Sequence, residues 1–340
     1  MRKKNKAFQG LRGYAIILIF LSHFNFMNNA KGVNITTWLG GLGVELFILL
    51  SGFLLIENHG NGNIEIKKYF VHKIKKFYPL HIVTLAIAIP FSIKALLSLD
   101  IKTIASLISN ALLVQTWVPA SNFYFGFNAV SWYLSITVFF IVVSRLVVKF
   151  WNKISLKMTI VVIGCIFIIQ LLVCGLTKSL IISHWIIYVA PFVRLLDFII
   201  GGGIKKLEKS GFVQRDTFRI VSFFVAIITL VIISALSFLV DSEWFSVCIW
   251  VIPSIIIVLI LGAESRNRFI GCIFENKFIV KVGNYSFEIF LIHQLVIRYV
   301  NYIFHVNNVM KFFLDIVLVI LGIKIWTIIN QKMQTLKGEK

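Results

Sequence analysis

Charge is scarce in this chain: only 14% of its 340 residues are Asp, Glu, Lys or Arg, and acidic residues number 14 against 34 basic ones. With 59% hydrophobic residues, that scarcity excludes a soluble domain. Several chemistries are excluded by missing motifs. The four cysteines (Cys165, Cys174, Cys248, Cys272) form no Cys-x-x-Cys pair, so no zinc or other metal site is expected and reduced structural thiols are. There is no Gly-rich phosphate loop and no His-Glu-x-x-His. Ser51, in Leu50-Ser51-Gly52-Phe53, lacks the Gly-x-Ser-x-Gly context of a nucleophile elbow and reads as helix packing. No pro-segment, low-complexity tract or long repeat interrupts the chain.

What is present is a series of apolar runs of membrane-spanning length: 11–29, 38–56, 79–98, 102–118, 129–148, 158–176, 182–203, 218–240, 244–262, 284–304 and 310–330. The net charge of +20 invites a nucleic-acid reading. The Lys and Arg residues fall mainly in short loops between apolar runs, however, which is how membrane orientation is encoded. No nucleic acid is expected as a partner. Arg2, Lys3, Lys4 and Lys6 before an apolar run imitate a signal peptide. Arg12 within the run, and the lack of a small-x-small cleavage site, favour a retained first helix.

Charge also tests the count. With the basic N-terminus inside, the loop 57–78 with Lys67, Lys68, Lys73, Lys75 and Lys76 falls inside as well. If 102–118 spanned, three later basic clusters, around Lys149–Lys157, Lys205–Arg215 and Arg266–Lys281, would all face outside. The expectation is an all-α polytopic bundle of about ten spanning helices with both termini cytoplasmic. The 102–118 segment is then interfacial or re-entrant. The 119–128 stretch is aromatic and polar without charge, which suits an outer loop that meets a carbohydrate or lipid, or one whose aromatics anchor the interface.

Ionisable residues inside membrane segments are costly and mark functional sites. Arg12 and His23 are eleven residues apart, within roughly 20° of three full turns, so they share one helix face about 16 Å apart along the axis. His23 and Glu45 fall at matching depth in the outer halves of the first two helices. They read either as a base and its orienter or as a hydrogen-bonded pair joining two helices. Lys73 and Lys76, three apart, read as a positive-inside anchor or as a site for a polyphosphate such as coenzyme A. Arg194 and Asp197 form an i, i+3 pair after Pro191. They read as an internal ion pair, or Arg194 faces an anionic donor or developing oxyanion. Gly201-Gly202-Gly203 permits close packing or an abrupt helix end. His293 lies mid-membrane.

Six elements in order resemble the integral-membrane acyltransferase-three family, many of whose members O-acetylate bacterial surface glycans. These are Gly10-Leu11-Arg12-Gly13 with His23, then Gly43-Val44-Glu45-Leu46-Phe47 through Leu50-Ser51-Gly52-Phe53-Leu54. The basic run ending Tyr78-Pro79-Leu80 follows, with Ser131-Trp132-Tyr133-Leu134-Ser135 after it. Pro191 to Phe198 with Gly201, and Tyr285 to Gln294, complete the series. The family often has Asp where Glu45 stands, and Arg-x-x-Arg where Lys73 and Lys76 stand; lysine keeps the charge without the bidentate fork.

The resemblance implies a single membrane acyltransferase domain over residues 1–340, without the soluble C-terminal domain that some relatives carry. It implies transfer of an acyl group, most simply acetyl, from cytoplasmic acyl-CoA to a hydroxyl of a cell-envelope or lipid-linked glycan at the cytoplasmic membrane. Acetyl-CoA would be a donor substrate, with no permanently bound cofactor. Catalysis would fall to His23, Glu45 and Arg12, and donor binding to Lys73, Lys76 and Arg194. Trp132, Ser135, Asp197 and His293 would line the acceptor side or the cavity. A proton-coupled exporter or flippase of a glycan or lipid intermediate would need the same buried groups. Small-residue faces serve packing within and between chains alike, so an oligomer stays open.

Overall fold

A computed structural model describes residues 5–28, 34–60, 62, 64–208, 216–239, 251–262, 268–336 and 338. Among these residues there are helices and turns and no strand. The helices are α1 (Lys6–Asn28), α2 (Asn34–His59), α3 (Ile66–Ala88), α4 (Ile93–Leu97), α5 (Ile101–Ala111), α6 (Ser121–Tyr124), α7 (Trp132–Lys153) and α8 (Leu156–Thr177). They continue with α9 (Pro191–Glu208), α10 (Asp216–Leu239), α11 (Val251–Gly262), α12 (Arg268–Phe274), α13 (Lys277–Asn284), α14 (Ser286–Ile303) and α15 (Asn308–Leu336).

Seven helical stretches among the described residues are long and apolar enough to cross a membrane: Lys6–Asn28, Leu39–His59, Ile66–Leu97, Ala129–Lys153, Leu156–Thr177, Trp185–Glu208 and Asn308–Thr335. The chain is a multi-pass helical membrane protein. Part of the expected 244–262 run and the Asp241-Ser242-Glu243 loop lie outside the described residues. The basic stretch before Tyr78 is itself helical, since α3 begins at Ile66. Within 102–118 the helix α5 has 11 residues. That is about 16 Å, against a hydrocarbon core of about 30 Å. It starts at Asp100, whose side chain accepts from the Thr103 amide at 2.9 Å and from the Thr103 hydroxyl, and these bonds hold the carboxyl below the usual range. It ends in a turn at Leu113, where φ is 57°.

The spanning helices differ in what covers them. Buried positions make up 72% of the apolar window of α2 and 67% of that ending in α9, against 22% for α8 and 17% for α15. The centre is therefore α2 with α9 and α1, while α8 and α15 turn Ile and Leu side chains to lipid. Glycine makes the central crossing close: a Cβ at Gly52 would fall on the Phe198 carbonyl, and one at Gly201 on the Leu49 carbonyl. The helix runs on to Glu208, so the glycine triplet serves packing and not termination.

One cysteine departs from expectation. Cys165 and Cys272 are free thiols, but Cys174, near the C-terminal end of α8, is disulfide-bonded. Cys174 sits three residues from the end of α8, whereas the free Cys165 lies near the middle of that helix.

Candidate active site

The first component is a cavity of about 640 Å³ between α1, α2, α3, α7 and α9. Its polar lining includes Arg12, His59, Lys68, His72 and Lys73, with Ser51 and Asn58 from α2. Lys68 is neutralised by Glu65 at 2.7 Å. Lys73 lies over the Tyr69 ring, 5.3 Å from its centroid, and no carboxylate pairs with it or with Arg12 among the described residues. Two uncompensated cations facing one space make an anion site. The local sequence aims Arg12 there. Gly10, about 160° around the helix from Arg12, lies against the Phe274 backbone, and Gly283 of α13 lies against the Gln9 carbonyl. Pinning that side of α1 to α12 and α13 turns Arg12 toward the cavity.

The second component lies about three turns further along α1. The His23 Nδ1 and His293 Nε2 atoms are 2.8 Å apart. His293 Nδ1 is 2.9 Å from the Ile289 carbonyl, which can only accept, so that nitrogen carries the proton. His293 Nε2 is then the acceptor, and His23 Nδ1 is the donor. This leaves the His23 Nε2 lone pair unspent, the tautomer a general base needs. His293 is fully buried, and His23 is partly exposed.

The third component is a buried ion triad. Arg194 reaches Asp197 at 2.9 Å and Glu45 at 3.2 Å, and all three side chains are at most 3% exposed. Gln170 of α8 donates to Asp197. A π-helical turn, Trp185–Val189, precedes Pro191 and leaves the Tyr188 carbonyl to accept from Arg194 Nε at 2.8 Å. Three hydrogen bonds thus fix one guanidinium in the interior.

The structure rearranges the expected partnerships. His23 pairs with His293 and not with Glu45, and Glu45 pairs with Arg194. Of the expected donor group, Lys73 lines the cavity beside Arg12, while Lys76 is exposed on α3 and Arg194 sits in the triad. Trp132 is buried, its ring 5.0 Å from that of Tyr188. Ser135 is buried on Thr116 at 2.6 Å. Sequence reasoning missed Tyr133, which packs its ring 5.4 Å from Phe290 and lies within electrostatic reach of both Arg12 and Glu45. Its place in Ser131-Trp132-Tyr133-Leu134-Ser135 was the available signal. Gln170 carried none, as a lone amide in an apolar helix. Among the described residues no cluster of His, Cys, Asp or Glu could hold a metal.

Comparison with known proteins gives the geometry a family. The chain is 26% identical over 310 residues to "Acyltransferase MdmB" of Streptomyces mycarofaciens, covering 85% of this chain and 78% of that protein. It is 24% identical over 341 residues to "Putative O-acetyltransferase SACOL0978" of Staphylococcus aureus, covering 92% of this chain and 54% of that protein. The chain thus spans about half the length of the staphylococcal relative. No solved structure matches it. The family described as an acyltransferase domain matches residues 5–329, nearly the whole chain, and the protein therefore belongs to that acyltransferase family and is an acyl-transferring enzyme of the membrane.

Proposed function

We propose that this enzyme moves an acyl group, acetyl in the simplest case, from cytoplasmic acyl-CoA to a hydroxyl of a cell-envelope or exported glycan. The observation that carries the reading is the pairing, on one helix, of a cationic cavity at Arg12 with an imidazole base at His23. Arg12 and Lys73 attract the donor's phosphates at the inner face. The arm bearing the thioester then extends along α1 toward His23, about 16 Å deeper. His23 Nε2 takes the proton of the acceptor hydroxyl, and the hydroxyl oxygen attacks the thioester carbonyl. The carbon–sulfur bond breaks and the thiol departs with a proton.

The reading includes a single acyltransferase domain with ten spans, both termini cytoplasmic, in the cytoplasmic membrane. The disulfide at Cys174 supports that orientation: α8 then runs outward, and its C-terminal end meets the oxidising side. The O-acetyltransferase name of the staphylococcal relative supports a hydroxyl acceptor.

The test uses purified protein in vesicles with radiolabelled acetyl-CoA and envelope extract as acceptor. Wild type is expected to release CoA and label a glycan fraction. Folded His23→Ala is expected to lose about a hundredfold to ten-thousandfold in rate, the usual worth of a general base. Transport of a glycan without CoA turnover would replace this reading with the exporter.

A further inference from the structure

The triad of Glu45, Arg194 and Asp197 holds two carboxylates and one guanidinium in a site where none is more than 3% exposed. Ionised throughout, it would carry an uncompensated negative charge, which a buried site tolerates poorly. One proton resolves the imbalance, and the hydrogen bonds say where it resides. Asp197 accepts from Arg194 at 2.9 Å and from Gln170. Glu45 has a single, longer contact, Oε2 to Arg194 at 3.2 Å. Its Oε1 is buried and has no hydrogen-bond partner among the described residues. Asp197 has the donors that stabilise a carboxylate; Glu45 does not.

Among the described residues, nothing else facing Glu45 supplies the missing positive charge. From α9 it meets Arg194 and Asp197, and from α7 and the π turn the hydroxyls of Tyr133 and Tyr188. On the α1 side, the crossing at Gly43 brings Ala15 and Ile19.

We infer that Glu45 is a neutral carboxylic acid whose proton, on Oε1, is a hydrogen-bond donor kept for the acyl carbonyl of a bound donor. The role rests on the acyl-transfer reading; the proton does not. The negative charge that develops on the thioester oxygen would meet a donor fixed from behind by Arg194, in a buried site. Glu45 would thus act on the electrophile while His23 acts on the nucleophile. The environments of the two groups set these opposite duties.

Infrared spectra of the purified full chain at neutral pH read the proton directly. Wild type is expected to give a protonated-carboxyl band that shifts in D2O, shifts when glutamate carboxyls are isotopically labelled, and vanishes in Glu45→Gln. No glutamate band of that kind would overturn the neutral carboxyl, whatever the enzyme's activity. Turnover tests the donor role. Glu45→Ala is expected to lose about a hundredfold or more in kcat, the worth of one oxyanion donor. Glu45→Gln keeps an N–H donor and the Arg194 contact, and is expected to recover most of that loss with the donor's KM little changed. A folded Glu45→Gln protein as slow as Glu45→Ala would show that an ionisable carboxylate is required and would overturn the donor role.

Discussion

The chemistry of His23 depends on a proton placed by another residue. The Ile289 carbonyl holds the His293 proton on Nδ1, which fixes the direction of the hydrogen bond between the rings and frees His23 Nε2. In the proposed mechanism His293 is thus a positioning residue, and its removal is expected to act on rate and not on donor capture. His293→Ala leaves His23 Nδ1 without its partner and lets the ring rotate or change tautomer. Its kcat should fall, by less than the hundredfold or more expected for loss of the base itself, with the KM for acetyl-CoA unmoved because Arg12 and Lys73 are untouched. His293→Gln retains an acceptor oxygen and should recover part of the rate. Steady-state kinetics of the two variants check this; a raised KM with unchanged kcat would place His293 in donor binding instead.

At the scale of elements, which helices carry the polar groups was legible, and their register and azimuth were not. Counting residues from helix ends put His23 and Glu45 at one level, but the crossing that sets Gly40 on Ser22 and Gly43 on Ala15 and Ile19 carries Glu45 toward Ala15, and nothing in that count says which way around each helix a side chain points. Glycine packing decides it. Gly43 on Ala15 and Ile19, and Gly52 and Gly201 across the α2–α9 crossing, set the rotation that turns Glu45 to Arg194. His23 was left to a helix some 270 residues later in the chain. The Arg12–His23 face was readable because both residues sit on one helix of known period. Hydropathy marked the apolar helices without fixing how many span: seven stretches among the described residues are long and apolar enough, against about ten expected, and the helical extension of α3 back to Ile66 did not show because its Lys residues break the apolar run.

The same packing gives a stability prediction. Gly52→Val would drive a branched side chain into the Phe198 carbonyl and should destabilise by about 1–3 kcal/mol or more. Gly164 on α8 has open space where its Cβ would go, so Gly164→Ala should be neutral or mildly stabilising. Thermal unfolding of the two proteins in one detergent compares them directly.

For the whole molecule, the distribution of charge and the chemistry of one sulfur make independent statements about orientation. Basic residues gather at the ends of α7 and α9 and in the run before Tyr78, and the proposed orientation puts those ends on the cytoplasmic side, where such residues are enriched. In that orientation, counting forward along α8 from Lys157 carries Cys174 to the opposite face, where its disulfide would have an oxidising surrounding. The two lines rest on different physics, the cost of moving cations across a bilayer and the redox poise of a compartment. A membrane-impermeant reductant applied to intact cells should therefore open the Cys174 disulfide, and a thiol-reactive mass tag added afterwards from outside should label Cys174. The wild-type chain serves without substitution, and in Cys174→Ser the labelling should no longer depend on the reductant, because the partner thiol is then free from the start. If the bond opens only after the membrane is permeabilised, α8 runs the other way, the basic ends of α7 and α9 face outside, and the Arg12 cavity can no longer draw its donor from the cytoplasm.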